Sequence, residues 1–289
     1  MKQKVVLQGG TGNQLFQWAY AHFLADQGLD IELVFPVKKY SLEHTSLFLG
    51  DFLNSCEHIE LKKKLFPENR AVRAFIDPSN SKSFFKVFPF VLQDTMDAPY
   101  ERPKKIKHLE LRYHLGYYQN WEIPYTFRNQ LRTELWEAIS SQGESALETD
   151  LIGVEVIHIR HGDTASAQNL ATVGVLDSLY YKNLPAKSKS KRVVITDDIE
   201  GARETFGNIQ IDEIFGPDDL NAYQALAVMS RSSRLFTANS TLSWWGGFLA
   251  EANSAEVFIP NPFFRNIDPN PGTAFFFPNF QTLPSIFRA

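Results

Sequence analysis

Arg160 stands two residues after His158 and three before Asp163, in the run His158-Ile159-Arg160-His161-Gly162-Asp163. A guanidinium at the end of a strand can grip a pyrophosphate with two parallel charge-assisted hydrogen bonds, and Asp163 can hold it in place or receive a polar group of the ligand. The same residues also suit a surface salt bridge beside a satisfied histidine, and His158, His161 and Asp163 have the types of a metal site. A second cluster runs from Thr237 to Gly247. Its Ser240 and Thr241 lie where a helix N-cap is expected, and hydroxyls with first-turn N–H groups suit phosphate oxygens, although capping alone also accounts for them. Trp244 and Trp245, followed by two glycines, fit packing against a sheet. The third cluster is Gly9-Gly10-Thr11-Gly12-Asn13-Gln14-Leu15-Phe16-Gln17. Gly10 and Gly12 let the backbone come close to a ligand, and Asn13 and Gln14 raise the loop above a plain strand-to-helix turn. It is a poor dinucleotide fingerprint, because the third glycine position counted from Gly10 is Leu15.

Each cluster follows a segment that reads as a strand. Val5-Val6-Leu7 precedes the glycine loop; Leu15, Phe16, Ala19, Tyr20, Phe23 and Leu24 then recur at helical spacing. Gly28 is placed to end that helix, and 31–35 supplies the next strand of a βαβ unit. Residues 36 to about 110 show no clear period and are assigned to an elaborated acceptor-side region. A new element begins near Pro124, with Ile123 biased towards extended backbone, and a helix follows over 127–139. The small polar run 140–145 is the expected linker. Strands are expected at 152–159, 193–195, 235–236 and 257–259, and helices at 220–229 and 240–252. Strands alternating with helices predict a parallel sheet covered on both faces. The last 30 residues hold six of the 15 prolines, which predicts an irregular tail. The expected domains are 1–145 and 146–289, facing each other across a cleft, where open α/β sheets place ligands.

The bulk numbers narrow the class. With 289 residues, 44% hydrophobic and 21% charged, the chain can bury a proper core. A net charge of −4 argues against non-specific binding to nucleic acid or anionic lipid, and Lys62, Lys63 and Lys64 read as a solvated face. Cys56 is the single cysteine, which rules out an intrachain disulfide and a cysteine-based metal cluster. No run has the length of a signal peptide's apolar region or a membrane span. A cytoplasmic chain is therefore expected, without stable membrane insertion, meeting any membrane-bound acceptor peripherally at the inner face. On that expectation the glycosylation triplet Asn239-Ser240-Thr241 lapses.

The three clusters, in order and spacing, resemble the bacterial α-1,2-fucosyltransferases of glycosyltransferase family 11. Gly116-Tyr117-Tyr118-Gln119 and Thr196-Asp197-Asp198 add two weaker matches, so the likeness extends from residue 9 to about 250. It implies an α/β, GT-B-like fold of two Rossmann-like lobes, with the donor, GDP-fucose, in the C-terminal lobe. It further implies that Arg160 binds the donor pyrophosphate, His158 contacts the nucleotide side and Asp197 approaches the guanine. Asn239, Ser240 and Thr241 fall in its donor-binding motif, the last two at phosphate, and Asn13 reaches the reaction centre from the other lobe. The departure is His161, where related enzymes usually carry a second arginine. The implied acceptor is a galactose-terminated oligosaccharide or a lipid-linked glycan. No cofactor is implied, and the absence of any Asp-x-Asp predicts no metal. Asp163 is the candidate base.

Two other classes stay open. A nicotinamide-dependent oxidoreductase would use the first βαβ unit, and spectroscopic NAD titration separates it. A non-catalytic nucleotide- or sugar-binding module would release no GDP on incubation with donor and acceptor.

Overall fold

The computed structural model describes residues 2–36, 59–64, 91–93, 113–142, 149–162, 167–207, 209–266 and 274–288. The chain forms two compact units, 1–131 and 132–289. Cys56, most of the 36–110 region and Asp163 lie outside the described residues.

The N-terminal unit contains β1 (Gln3–Val6), α1 (Thr11–Ala25), β2 (Ile31–Pro36), β3 (Ile59–Lys64), β4 (Val91–Gln93), β5 (Tyr113–Leu115) and α2 (Glu122–Thr126). Its five strands pair in parallel in the order β3-β2-β1-β5-β4. Helix α1 buries Leu15, Phe16, Ala19, Tyr20 and Leu24, and the turn at Gly28, with φ +79, ends it as expected. Ile123 is helical rather than extended. Pro124 sits in the first turn of α2, where its missing N–H has no helical partner to lose.

Helix α3 (Arg128–Gln142) crosses the boundary between the units. Ser140 and Ser141, expected in a linker, therefore continue a helix. Arg132 on α3 donates from Nε (3.0 Å) and Nη2 (2.7 Å) to the carbonyl of Phe248 and pairs with Glu251.

The C-terminal unit continues with β6 (Glu155–Ile159), α4 (Ala167–Thr172), α5 (Ser178–Lys182), β7 (Arg192–Thr196), α6 (Ile199–Phe206), β8 (Glu213–Phe215), α7 (Ala222–Ser230), β9 (Arg234–Phe236), α8 (Thr241–Ala252), β10 (Glu256–Asn261) and β11 (Gln281–Pro284). The six strands are parallel, in the order β11-β10-β9-β6-β7-β8. All five residues of β6 and of β7 are buried, because helices cover both faces. On one face Ile157, Val194, Phe236 and Phe258 pack with Tyr180, Tyr181 and Phe206; on the other Val156, Val193 and Leu235 pack with Val228 and Met229. Two parallel α/β units agree with the GT-B-like plan of two Rossmann-like lobes.

Two boundaries differ from the sequence reading. Ile152 is 59% exposed and lies outside the strand, because the chain bends at Gly153 (φ +72) before β6 begins. The tail expected to be irregular contributes β11, an edge strand, and an edge tolerates its proline at position 284.

Helix α8 shows why Trp244-Trp245-Gly246-Gly247 stand together. Both tryptophans are fully buried, and Trp244 donates from Nε1 to the carbonyl of Phe275 at 2.8 Å. A Cβ on Gly246 would lie 2.8 Å from Met229 Cβ, so its absence lets α8 settle onto α7.

Candidate functional site

In each sheet strands are added on both sides of the first strand, β1 or β6. In the C-terminal sheet β6, β7 and β8 build one way, and β9 then joins on the other side of β6. The loops after β6 and β9 thus part company at the carboxyl end of neighbouring strands, the place where open α/β sheets bind ligands. These are the loops that carry His158-Ile159-Arg160-His161 and Thr237-Ala238-Asn239-Ser240.

The end of β6 is tied to the end of β7 through Asp197. One carboxylate oxygen, Oδ1, accepts the backbone N–H of His161 at 2.8 Å, and Oδ2 makes an ion pair with Arg160 Nε at 3.1 Å. That ion pair holds the guanidinium near the end of β7, and the side chain remains about a third exposed. Gly162 is what lets the carboxylate approach, since a Cβ there would collide with Asp197 Oδ2. Both oxygens of Asp197 thus serve the Arg160 turn, a structural duty beyond the guanine contact implied by resemblance.

His158 is 4% exposed and its Nδ1 makes no hydrogen bond among the described residues. Burial pushes its pKa down to about 4, with Asp197 pulling up and Arg160 pushing down, so the imidazole is neutral near pH 7. On the neighbouring strand, one step beyond the Ile157–Phe236 pair, Thr237 also has a buried hydroxyl without a partner. A buried polar atom left unsatisfied costs about 1–3 kcal/mol, so two at the ends of neighbouring strands fit a place that takes a polar ligand.

Helix α8 begins just beyond. Ser240 occupies the N-cap position with extended backbone (φ −134, ψ 130) but makes no side-chain cap, and the first intrahelical bond is Trp244 N–H to Ser240 C=O at 3.0 Å. The first turn has no acidic residue, which leaves the helix N-terminus suited to an anion. Asn239 behaves differently from the expectation. Its Nδ2 donates to the carbonyls of Val173 (3.1 Å) and Gly174 (2.9 Å), so its amide braces that turn instead of facing a donor.

In the N-terminal sheet the corresponding neighbours are β1 and β5. The loop after β1 runs through Gly9 and Gly10 into the first turn of α1, which carries Asn13, and the loop after β5 is Gly116–Asn120. Asn13 Oδ1 accepts from Gln119 Nε2 at 2.8 Å, which brings the two loops together. Gly9 takes φ +76, and a Cβ there would meet Asn13 and Tyr117; this is the glycine the turn demands, whereas Gly10 faces open space and Gly12 is buried inside α1. Gln14 is fully buried and donates to the carbonyl of Gly9 at 3.1 Å, so it holds the loop from within rather than meeting a ligand. Tyr118 adopts φ 51, a left-handed conformation rare for a bulky residue, with its ring stacked 3.8 Å from Tyr20. Strained backbone of this kind clusters at functional sites.

Sequence reasoning missed Asp198 and Thr237. Asp198 caps α6 by accepting from Gly201 N–H (3.0 Å) and contacts His161 Nδ1 (3.3 Å). Its signal was the Thr196-Asp197-Asp198 run. Thr237 carried none beyond its place after a strand. Among the described residues no group of three or more His, Cys, Asp or Glu side chains could hold a metal ion. No described helix is long and apolar enough to cross a membrane.

Comparison with known proteins follows this geometry. An alpha-1,2-colitosyltransferase of Escherichia coli is 26% identical over 290 residues, covering 91% of this chain and 93% of the relative. Among solved structures, the fucosyltransferase NodZ from Bradyrhizobium is 13% identical with a TM-score of 0.47, covering 85% of this chain and 92% of that one. The E. coli heptosyltransferase WaaC with ADP is 11% identical with a TM-score of 0.48, covering 98% and 93%. The sequence pattern of glycosyl transferase family 11 matches residues 3–268, a span that contains the glycine loop, the Arg160 turn and the start of α8, and the chain belongs to that family.

Proposed function

We propose that this glycosyltransferase moves L-fucose from GDP-β-L-fucose, with inversion, to the 2-hydroxyl of a terminal galactose on an oligosaccharide or lipid-linked glycan. The observation that carries the reading is the switch point of the C-terminal sheet. It puts the guanidinium of Arg160, paired with Asp197, the neutral His158 and the N-terminus of α8, whose first turn has no acidic residue, at the ends of two neighbouring strands.

The chemistry follows from charge. The acceptor oxygen attacks the fucose anomeric carbon as the bond to the β-phosphate oxygen breaks, and the electron pair leaves with GDP. Positive charge grows on the sugar and negative charge on the diphosphate. Arg160 and the amides opening α8 stabilise that anion where it develops. The hydroxyl proton passes to a base, for which Asp163 is the candidate. Asn13 is assigned to the reaction centre, its amide oriented by Gln119.

The test is incubation of GDP-fucose with galactose-terminated oligosaccharides, with GDP release followed and the linkage read by NMR. Product with an α-1,2 linkage, formed equally well in excess EDTA, is expected. Hydrolysis alone, or restoration by Mn²⁺ after chelation, contradicts the reading. The colitosyltransferase relative favours a second reading, transfer of colitose, and GDP-colitose belongs in the same assay.

A further inference from the structure

Arg288 lies beyond the span that matches the family and 127 residues from the turn it touches. The segment that carries it is firmly seated. Arg288 N–H donates to Val175 C=O (2.8 Å), its own carbonyl accepts from Arg265 Nη1 (2.7 Å), and Asp177 N–H donates to Ile286 C=O (2.7 Å). Phe287 bridges Leu176 in antiparallel fashion and packs over Gly174, where a Cβ would lie 2.6 Å from its ring.

From this strap Arg288 Nη2 reaches His161 Nε2 at 3.0 Å and Thr205 Oγ1 at 3.1 Å. A guanidinium can only donate, so Nε2 of His161 must be the acceptor. The proton of the neutral ring then sits on Nδ1, which faces Asp198 Oδ2 at 3.3 Å. Thr205 fits the same scheme, because its hydroxyl donates to the carbonyl of Gly201 at 2.7 Å and is left to accept. Gly201 leaves room for the ring, since a Cβ there would lie 2.5 Å from Nδ1. His161, 4% exposed, is thus held at both ring nitrogens and, through its N–H to Asp197, at the main chain.

We propose that Arg288 is a positioning residue for the donor site: by seating His161 between the strap and Asp198, it fixes the turn from which Arg160 is presented. This rests on the reading of that turn as the donor diphosphate site. The electrostatics agree with the geometry. Burial first and Arg288 second hold the His161 pKa below its ordinary value, against the pull of Asp198 and Asp197. The strap's guanidinium thus adds to burial in disfavouring a cation beside Asp197 and Asp198.

The experiment compares full-length wild type with Arg288→Ala and Arg288→Lys, the ring ¹⁵N signals of His161 being assigned by their loss in His161→Gln. In the wild type the neutral ring is expected to be a single Nδ1–H tautomer, observed at pH 7.5. In Arg288→Ala the tautomers should mix and the titration midpoint rise, since the two aspartates are no longer opposed. GDP affinity should weaken, and kcat/KM for GDP-fucose should fall about tenfold, as expected of a site loosened rather than emptied. Arg288→Lys, with charge but no fork to span His161 and Thr205, should fall between the two, and it decides the matter if the alanine variant does not fold. An unchanged His161 spectrum in a folded variant overturns the proposal. So does loss of GDP affinity with His161 undisturbed, which would make Arg288 a direct ligand of the donor. If GDP-fucose proves not to be the donor, the tautomer measurement still stands, and the two failures are told apart.

Discussion

At the residue scale the difference between arginine and lysine carries the mechanism. Arg160 is paired with Asp197 and its planar fork can give two parallel bonds to phosphate oxygens, whereas a lysine offers a mobile point charge. Arg160→Lys should fold normally by circular dichroism yet lose about a hundredfold in kcat, on the order of 3 kcal/mol, with a smaller change in GDP affinity. Wild-type turnover from the folded variant would remove Arg160 from the reaction. Asn13→Ala should lower kcat while leaving GDP binding by calorimetry close to normal, because its amide pairs with Gln119 in the N-terminal unit, whereas the proposed nucleotide contacts lie in the C-terminal unit. An unchanged kcat would return the glycine loop to a structural turn. His161, the departure from the related enzymes, is neither a spare arginine nor a bystander. Its ring is the point where Asp198 and Arg288 meet.

Elements supply the rigidity these residues need. The body of helix α8 is locked: Trp244, Trp245 and Phe248 are fully buried, and Arg132 fastens the carbonyl of Phe248, so the N-terminus proposed to meet the donor diphosphate starts from a rigid element. Gly246 decides how closely α8 lies on α7. In an exposed helix, Gly→Ala would gain about 1 kcal/mol of propensity. Here the added methyl would be 2.6 Å from Met229 Sδ and 2.8 Å from its Cβ, and the latter cannot swing away. Overpacking of that kind costs about 1–3 kcal/mol, so Gly246→Ala should be net destabilising and lower the urea midpoint. A raised midpoint would mean the helices have slack that the packing does not show.

For the whole molecule, buried titratable groups set how stability responds to acid. His114, fully buried between Tyr20 and Gln3, is pushed by burial from 6.5 to about 4, and His158 likewise to about 4. A histidine with a depressed folded pKa binds fewer protons folded than unfolded, so stability falls as pH drops from about 6.5 towards 4. Glu155 extends the decline. Burial pushes its pKa up, but hydrogen bonds from Ser188, Arg192 and Arg234 outweigh that and bring it to about 2. Its contribution is present above about 4.5 and is lost as pH falls through 2. Urea midpoints should therefore be highest above pH 7, fall through pH 5.5 and fall further below 4.5. A flat profile from pH 7.5 to 4.5 would show that both histidines are protonated in place without cost.

The sequence by itself determined the chemistry and the local frame. Val5-Val6 before Gly9, the buried run ending at Ile159 before Arg160, and Leu235-Phe236 before Ser240 all lie in strands feeding the expected loops, because strand period, glycine punctuation and helix starts are local properties. The expected linker at 140–145 was the weak point. Ser140 and Ser141 are individually turn formers, yet packing of Leu131, Leu135 and Ile139 carries α3 through them. What only the tertiary structure decided is which polar groups are already committed. Asn239 and Gln14 looked like ligand contacts and turned out to hold backbone carbonyls, while Asp197 holds Arg160 across two strands. Arg288 gave no signal at all, since nothing local marks an arginine that will donate to a histidine 127 residues away. Hydrogen bonds at that separation depend on which strands become neighbours and where their ends fall. Residue types and spacing state what a site could do, and the order of the strands selects which side chains are left to do it.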